Sequence, residues 1–336
     1  MTDFSTNTIG QVAVRTQLLQ RRGRLQTVAA TKQSPNIKQL LKDVDLALES
    51  LETGSYGMCD ICHEPIEEDW LNANPLARIC LSHLSPEQQR AFERDLDLAA
   101  DIQRALLPKP LEAAAGWNCS YHYIPAGAVS GDYCDVIAPQ SSSADTLFLV
   151  GDVSGKGVAA ALLMSHLHAI FRTLDCGGIP IGALMERVNR LFCESTLSTQ
   201  FATLICVRVS ISGQVELCSA GHCPALWIQE GSVAELEATG LPLGLFCEGE
   251  YSVQSLQTKP GDSIVLFTDG LSEARDPAGL EYGVPRLSNL VRNQWGVPVQ
   301  ALSAVCLEDL RRYQQGVPAS DDLTLMVIQH AALSDA

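Results

Sequence analysis

Thr146-Leu147-Phe148-Leu149-Val150-Gly151-Asp152-Val153-Ser154-Gly155-Lys156-Gly157 is the stretch on which the fold turns. Its first five residues form an uninterrupted apolar run, the pattern of a buried strand. Asp152 follows, a carboxylate held at the edge of that strand. Gly155 and Gly157 permit a tight turn, and a helix begins near Val158.

Similar acidic segments recur along the chain. They read Ser130-Gly131-Asp132-Tyr133, then Phe267-Thr268-Asp269-Gly270 after the apolar run Ser263-Ile264-Val265-Leu266, and Asp321-Asp322-Leu323-Thr324 at the start of another strand. One aspartate at a strand end is usually a turn former or a cap. Four such motifs together point instead to a shared site. Gathered carboxylates suit hard divalent cations, which take oxygen ligands. Two cations about 3.5–4 Å apart neutralise a phosphomonoester dianion, lower the pKa of a water and place it for in-line attack. Such chemistry needs no nucleophilic side chain.

Outward from these motifs, strands are expected at 117–124, 146–150, 201–211, 214–219, 225–229, 263–268 and 323–328, with Ser212-Gly213 as a two-residue hairpin turn. Helices are expected at 158–174, 181–194 and 299–313. Sequence-adjacent strands with helices between them imply an α+β layered fold rather than strict βαβ alternation. Towards the N-terminus, Ile37, Leu40, Leu41, Val44, Leu48 and Leu51 follow a helical period. A segment from Val12 to Val28 supplies the other arm of a helical hairpin, turning at Ser34-Pro35-Asn36. Ser85-Pro86-Glu87-Gln88 resembles a capping box. The helix it starts runs to Leu107 and stops before Pro108 and Pro110. Its apolar residues Phe92, Leu96, Leu98, Ala99, Ile102 and Leu106 form a wide stripe, suited to packing on the next domain or on a second copy of the chain.

The composition bounds the function. The chain has 336 residues and is 46% hydrophobic, enough for two or three domains with real cores. Its net charge of -16 argues against direct nucleic-acid binding. There is no apolar run long enough to span a membrane and no signal-peptide core at the N-terminus, so the expectation is a soluble cytoplasmic protein with no membrane partner. Nine of the twelve cysteines, Cys193 and Cys247 among them, are scattered through apolar segments. They read as buried hydrophobes in a reducing compartment.

Residues 54–84 differ. Cys59 and Cys62 are two residues apart, as are Cys80 and His83, with seventeen residues between the pairs. Two short-spaced pairs converging on one ion mark a closed structural zinc site. His63 is a competing ligand whose spacing fits less well. A unit this short has almost no core, so the metal holds it together. Tyr56-Gly57-Met58-Cys59-Asp60-Ile61-Cys62, Pro65-Ile66 and Pro75-Leu76-Ala77-Arg78-Ile79-Cys80 resemble the DksA/TraR-type zinc finger, which follows a helical hairpin. That family has cysteine where this chain has His83. Its members bind RNA polymerase through an acidic hairpin tip, whereas the tip here, Thr31-Lys32-Gln33-Ser34-Pro35-Asn36, has no acid.

From about residue 95 to 330 the chain resembles the SpoIIE/RsbU-type serine/threonine phosphatases, a bacterial branch of the metal-dependent PPM class. The resemblance rests on Ile102-Gln103-Arg104-Ala105-Leu106-Leu107-Pro108, the four acidic motifs, Ser219-Ala220-Gly221-His222-Cys223-Pro224 and Leu241-Pro242-Leu243-Gly244, in that family's order. It implies an αββα sandwich with two Mn²⁺ or Mg²⁺ ions. Asp152 bridges them, the Val153 carbonyl binds one, Asp269 and Asp321 bind the other, and Asp132 ligates directly or through water. Asp322 supports this set, although the sequence leaves open which of Asp321 and Asp322 ligates. Lys156 is either a phosphate contact or an exposed loop lysine. His222 is either a general acid or a hydrogen-bonded turn residue. There is no arginine between Trp117 and Asp132 to hold phosphate, as many eukaryotic relatives have.

The expected organisation is a hairpin (1–53), a zinc finger (54–84), a linker helix (85–108) and a phosphatase domain (109–332). The substrate implied is a phosphorylated STAS-domain anti-anti-sigma-like protein, and helix 86–107 resembles the linker that dimerises or switches relatives. The rival reading is an RNA polymerase-binding regulator with an inactive phosphatase scaffold.

Overall fold

Long apolar runs such as residues 146–150, 263–267 and 323–328 become central strands because a two-layer sheet packing buries both of their faces. The computed structural model describes residues 8–31, 35–67, 70–71, 74–109, 116–138, 145–174, 178–197 and 199–331. The chain divides into two units, Met1–Asp95 and Leu96–Ala336.

In the first unit, helices α1 (Thr8–Thr31) and α2 (Pro35–Thr53) form the hairpin. Leu18 packs on Val44, Ala47 and Leu48. The ion pairs Arg15–Glu52 (3.7 Å) and Arg22–Asp45 (2.7 Å) show that the helices run in opposite directions. Residues 32–34 of the tip, with the turn residue Ser34, lie outside the described residues. Helix α3 (Pro86–Leu106) opens with a reciprocal capping box. The Gln88 backbone N–H donates to Ser85 Oγ at 3.3 Å, and the Ser85 backbone N–H donates to Gln88 Oε1 at 3.1 Å. The apolar stripe of α3 is only partly covered, with Phe92, Leu96, Ala99 and Leu106 half-buried. Leu98 and Ile102 are 60% and 56% exposed, while the polar Gln103 is 4% exposed.

The second unit contains β1 (Trp117–Ile124), β2 (Asp132–Ile137), β3 (Thr146–Val153), α4 (Gly157–Thr173), α5 (Ile181–Ser195), β4 (Ala202–Val209), β5 (Gln214–Ala220), β6 (Ala225–Gln229), β7 (Ser232–Leu236), β8 (Gln254–Gln257), β9 (Ser263–Phe267), α6 (Asp269–Ser272), α7 (Val284–Val291), α8 (Val299–Gln314) and β10 (Leu323–His330). One sheet has the order β1-β10-β9-β6-β7 and the other β2-β3-β4-β5-β8, with all pairs antiparallel. Between the sheets lie Phe148, Val150, Ile205 and Val207 from one, and Ile264, Leu266, Met326 and Ile328 from the other. The outer face of the second sheet is covered by α4 and α5 through Leu167, Phe171, Leu184 and Phe192. That of the first is covered by α7 and α8 through Leu287, Val291, Leu302 and Leu310. The αββα sandwich is thus present.

Several local expectations are corrected. Strand β3 does not end at Val150 but continues through Asp152 to Val153, because Gly131–Asp132 and Ala202–Thr203 supply pairing partners on both sides. Strand β4 ends at Val209, so the β4–β5 connection is four residues long, Ser210-Ile211-Ser212-Gly213. Ser210 N–H still bonds Gln214 C=O at 2.9 Å, and Gly213 adopts φ 81°. Strands β7 and β8 and helices α6 and α7 were not foreseen. The strands are short and half polar, and α7 has Pro285 in its first turn. Cys193 and Cys247 are not free buried thiols. They form a disulfide, with Cα atoms 5.4 Å apart, tying α5 to the loop after residue 243. Asn189 reinforces the tie, its amide donating to the Phe246 carbonyl at 2.8 Å and accepting from Gly244 N–H at 2.9 Å.

Candidate metal centres

The pairing register sets Asp132 on β2 directly opposite Asp152 on β3, and Asp152 opposite Thr203 on β4. The remaining acids come from the other sheet. Asp269 follows β9 and starts α6, and Asp321-Asp322 precede β10. The two sheets are joined at this end by Asp132, which is 1% exposed. Its Oδ2 accepts hydrogen bonds from Thr268 Oγ1 (2.9 Å) and Thr324 Oγ1 (2.6 Å). The Asp322 carboxylate is also buried and accepts the backbone N–H groups of Ala126 (2.7 Å) and Gly131 (2.8 Å). Asp321 is more open, with Oδ2 3.2 Å from Lys156 Nζ. Lys156 Nζ also donates to the Ser320 carbonyl at 2.7 Å.

Backbone approach brings these groups together. A Cβ on Gly270 would overlap the Asp322 carbonyl oxygen, so only glycine lets the α6 start lie against the Asp321-Asp322 strand entry. A Cβ on Gly131 would meet the Val153 carbonyl at 3.0 Å and Asp152 Oδ1 at 3.5 Å. Gly155 (φ 99°) and Gly157 (φ 67°) turn the chain from β3 into α4 through backbone angles that L side chains avoid.

The electrostatics are those of a site with too little positive charge. Burial pushes the Asp152 carboxyl up to about 7, helped by the charges of Asp269, Asp321 and Asp322, with Lys156 opposing. Asp269 is raised by burial and then by Asp321. Asp132 is raised well above the usual carboxylate range, first by burial, with the Thr324 hydroxyl opposing and Asp152 adding to the shift. Oxygen donors that repel one another in a partly buried site fit a hard divalent cation.

His222 sits deeper. Its Nδ1 is 2.8 Å from Thr203 Oγ1, and burial pushes its pKa down to about 4 against the opposing Phe267 carbonyl. Burial thus favours the uncharged form of this imidazole at neutral pH.

Sequence reading passed over Thr268 and Thr324 as neighbours of acids, and Gln103 as a polar residue beside an apolar stripe. It also missed Arg172, which forks onto Asp135, with Nε 3.0 Å from Oδ2, and pins α4 to β2. The one available signal was that Thr268 directly precedes Asp269 and Thr324 follows Asp322 by two residues.

In the first unit, Cys59, Cys62, Cys80 and His83 bring one ligand atom each to within 4.8 Å of one another, the one such donor set among the described residues. Cys62 and Cys80 Sγ are 3.8 Å apart, and Cys59 Sγ is 3.7 Å from His83 Nδ1. Tetrahedral zinc with sulfur bonds of ~2.3 Å separates its sulfurs by roughly 3.8 Å. The Cys80 backbone N–H points at Cys59 Sγ (3.3 Å), as an outer hydrogen bond to a thiolate does. His63, at φ 57°, is not in the cluster.

Residues 142–331 match the family model described as Stage II sporulation protein E (SpoIIE). The chain is 28% identical over 245 residues to phosphoserine phosphatase RsbU of Bacillus subtilis (strain 168), covering 72% of this chain and 71% of that one. The SiaA-PP2C domain of Pseudomonas aeruginosa superposes with a TM-score of 0.63 at 25% identity, covering 72% of this chain and 98% of that domain. The RsbU and RsbW domains of Rv1364c from Mycobacterium tuberculosis superpose with a TM-score of 0.57 at 30% identity, covering 66% of this chain and 62% of that one. With the two-sheet sandwich and its acidic edge, a family match over more than half of the chain shows that the protein belongs to the SpoIIE family and carries a PPM-type phosphoprotein phosphatase domain.

Proposed function

We propose that the protein removes phosphate from phosphoserine or phosphothreonine on a partner protein, using two Mn²⁺ or Mg²⁺ ions. Asp152, the Val153 carbonyl, Asp269 and Asp321 would hold them. The observation that carries this reading is the convergence of carboxylates from both sheets at one edge, with the Asp152 pKa raised first by burial and then by the neighbouring acids. When bound, such ions offset the phosphate charge and make a water acidic enough to supply hydroxide at neutral pH. Asp321 is the better ligand of its pair, because both oxygens of Asp322 already accept backbone N–H groups. Asp132 holds the two sheets in register beside Asp152. Lys156, close to Asp321 and the one cation that lowers both Asp152 and Asp269, supplies the phosphate contact that an arginine gives elsewhere.

The resemblance to RsbU supports a phosphorylated STAS-domain protein as the substrate, in a partner-switching pathway. The cysteine–histidine cluster is proposed as a structural zinc site. The exposed Leu98 and Ile102 support pairing of helix 86–107 with a second copy. The function is tested by turnover of a phosphoserine STAS-domain protein with Mn²⁺, with EDTA and for Asp152→Asn. Activity with Mn²⁺ alone is expected, and equal rates in all three would end the metal mechanism. A phosphopeptide and small phosphoester panel run alongside reports the substrate class.

A further inference from the structure

We propose that the loop of residues 241–251 docks the phosphoprotein substrate, taking an apolar side chain of that partner with basic residues around it. This rests on the phosphatase reading above. Three large apolar side chains are open to solvent there: Leu241 is 59%, Leu245 45% and Phe246 62% exposed. Exposed apolar residues scattered singly are ordinary, but a group of them around one concavity marks an interaction site. Leu241, Pro242, Phe246 and Tyr251 line such a concavity of ≈ 200 Å³, with Glu248 and Glu250 beside them. Small-molecule sites run to roughly 300–1,000 Å³, so this one suits a single protruding side chain.

Ties on both sides of the loop keep these residues outward. Leu243 is fully buried and exchanges two backbone hydrogen bonds with Ala202, at 2.9 and 2.8 Å. The Pro242 ring lies where a Cβ on Gly221 would be, 2.5 Å from that position. Asn189 and the Cys193–Cys247 disulfide hold the far side. The same contacts set the loop beside the acidic centre. Strand β5 last pairs with β4 at Ala220 and Leu204, and Leu243 takes its place alongside Ala202. On the other flank Ala202 pairs with Val153. Two strand spacings put the Leu243 backbone about 10 Å from that of Val153. One folded partner can span that distance while its phosphoserine enters the metal site. Charge selects this partner over a second copy. A two-fold pairing of this face would set Glu248 and Glu250 against their own counterparts, in chains of net charge -16. A substrate face with Lys or Arg around its apolar side chain complements both acids.

The test compares Mn²⁺-dependent turnover of a phosphoserine STAS-domain protein and of para-nitrophenyl phosphate by the full chain. The Leu241→Ser/Phe246→Ser pair is expected to raise KM for the phosphoprotein by about tenfold or more. It should leave kcat and KM for the small ester within about twofold, because neither residue touches the metal site. Glu248→Lys/Glu250→Lys should raise the phosphoprotein KM by about threefold or more, again sparing the small ester. Ile211→Ser is the control. Ile211 is 53% exposed beyond the opposite end of β4, and its replacement should match wild type on both substrates. An unchanged phosphoprotein KM in the Leu241/Phe246 variant, or equal losses on the two substrates, would overturn the proposal. A wild-type dimer that this variant dissolves in sedimentation would give the face to a second copy and overturn it too. Turnover of the small ester with neither binding nor turnover of the phosphoprotein would overturn the docking surface and leave the metal mechanism. If wild type hydrolyses neither substrate, the functional reading fails, and calorimetric binding of the phosphoprotein decides the docking surface. Binding about tenfold weaker in the Leu241/Phe246 variant would then support it, and equal or absent binding would overturn it.

Discussion

Gly270 lies against the Asp322 carbonyl so closely that any side chain there would overlap it. The backbone contact holds the start of α6 beside the entry to β10, and with it Asp269 beside Asp321. Gly270→Ala is therefore expected to shift backbone, at a cost of about 1–3 kcal/mol, and to weaken Mn²⁺ binding by an order of magnitude or more. Gly279→Ala is the control. That glycine has φ 81° with open space around it, so its replacement should cost about 1 kcal/mol and leave Mn²⁺ affinity unchanged. Calorimetry and thermal melts of the two variants make the comparison.

The metal-free protein should lose stability as pH rises. Asp152, at about 7 in the folded state, holds a proton that the unfolded chain releases near its ordinary value of 3.8. Between those values the native state binds more protons, so its stability falls with pH, by up to a few kcal/mol. Asp269 and Asp132 are shifted in the same direction. Mn²⁺ should accordingly raise the melting temperature more at pH 7.5 than at pH 5, and Asp152→Asn should stabilise the metal-free protein at pH 7.5 while abolishing turnover. Melting curves with EDTA across pH 4–8 are the measurement.

His222 gives the opposite sign. Its folded pKa of about 4 lies below the unfolded value of 6.5, so its contribution to stability is present above 6.5 and is lost as pH falls towards 4. The pH–rate profile should show no limb from this residue between pH 5 and 8. His222→Gln, which can still bond Thr203, should keep activity within about tenfold of wild type. A loss of a thousandfold or more with the fold intact would restore a role for His222 in proton transfer.

Removing a ligand from the cysteine–histidine cluster should unfold its surroundings rather than slow a reaction. Cys62→Ser is expected to lower the zinc content of the purified protein and to expose the residues packed on Cys59 and Cys80, including Ile66 and Trp70. Zinc analysis with tryptophan fluorescence reads both effects. A full zinc complement in the variant would exclude Cys62 as a ligand.

The Cys193–Cys247 disulfide closes a long loop of sequence. Reduction, or the Cys193→Ser/Cys247→Ser pair, should lower stability by about 2–4 kcal/mol, with the fold retained because Asn189 still holds the same loop. Thiol counting under denaturing conditions before and after reduction should find two additional thiols.

Most of the sandwich was legible because strands such as β9 and β10 are continuous apolar runs, which only burial on both faces explains. The acids were legible as a group because each abuts one of those runs. The course of β3 past Val150 was not, since a glycine and an aspartate do not look like strand, and the pairing that keeps them extended comes from distant residues on β2 and β4. Strand β8 alternates polar residues at a sheet edge and offers no hydrophobic signal. The pairing of Cys193 with Cys247 was equally hidden, because cysteines in apolar segments carry no mark of connectivity. The Cys59–His83 cluster, by contrast, follows from spacing alone.

Asp152 belongs to one sheet, and Asp269 and Asp321 to the edge of the other, so the span between these acids depends on the thickness of the layer that Phe148, Ile205, Leu266 and Met326 fill. Side-chain volume far from any phosphate becomes a dimension of the catalytic apparatus. Trimming a methyl group there would change the spacing of the acids proposed to hold the metals, so the hydrophobic interior bears on that site as the aspartates do.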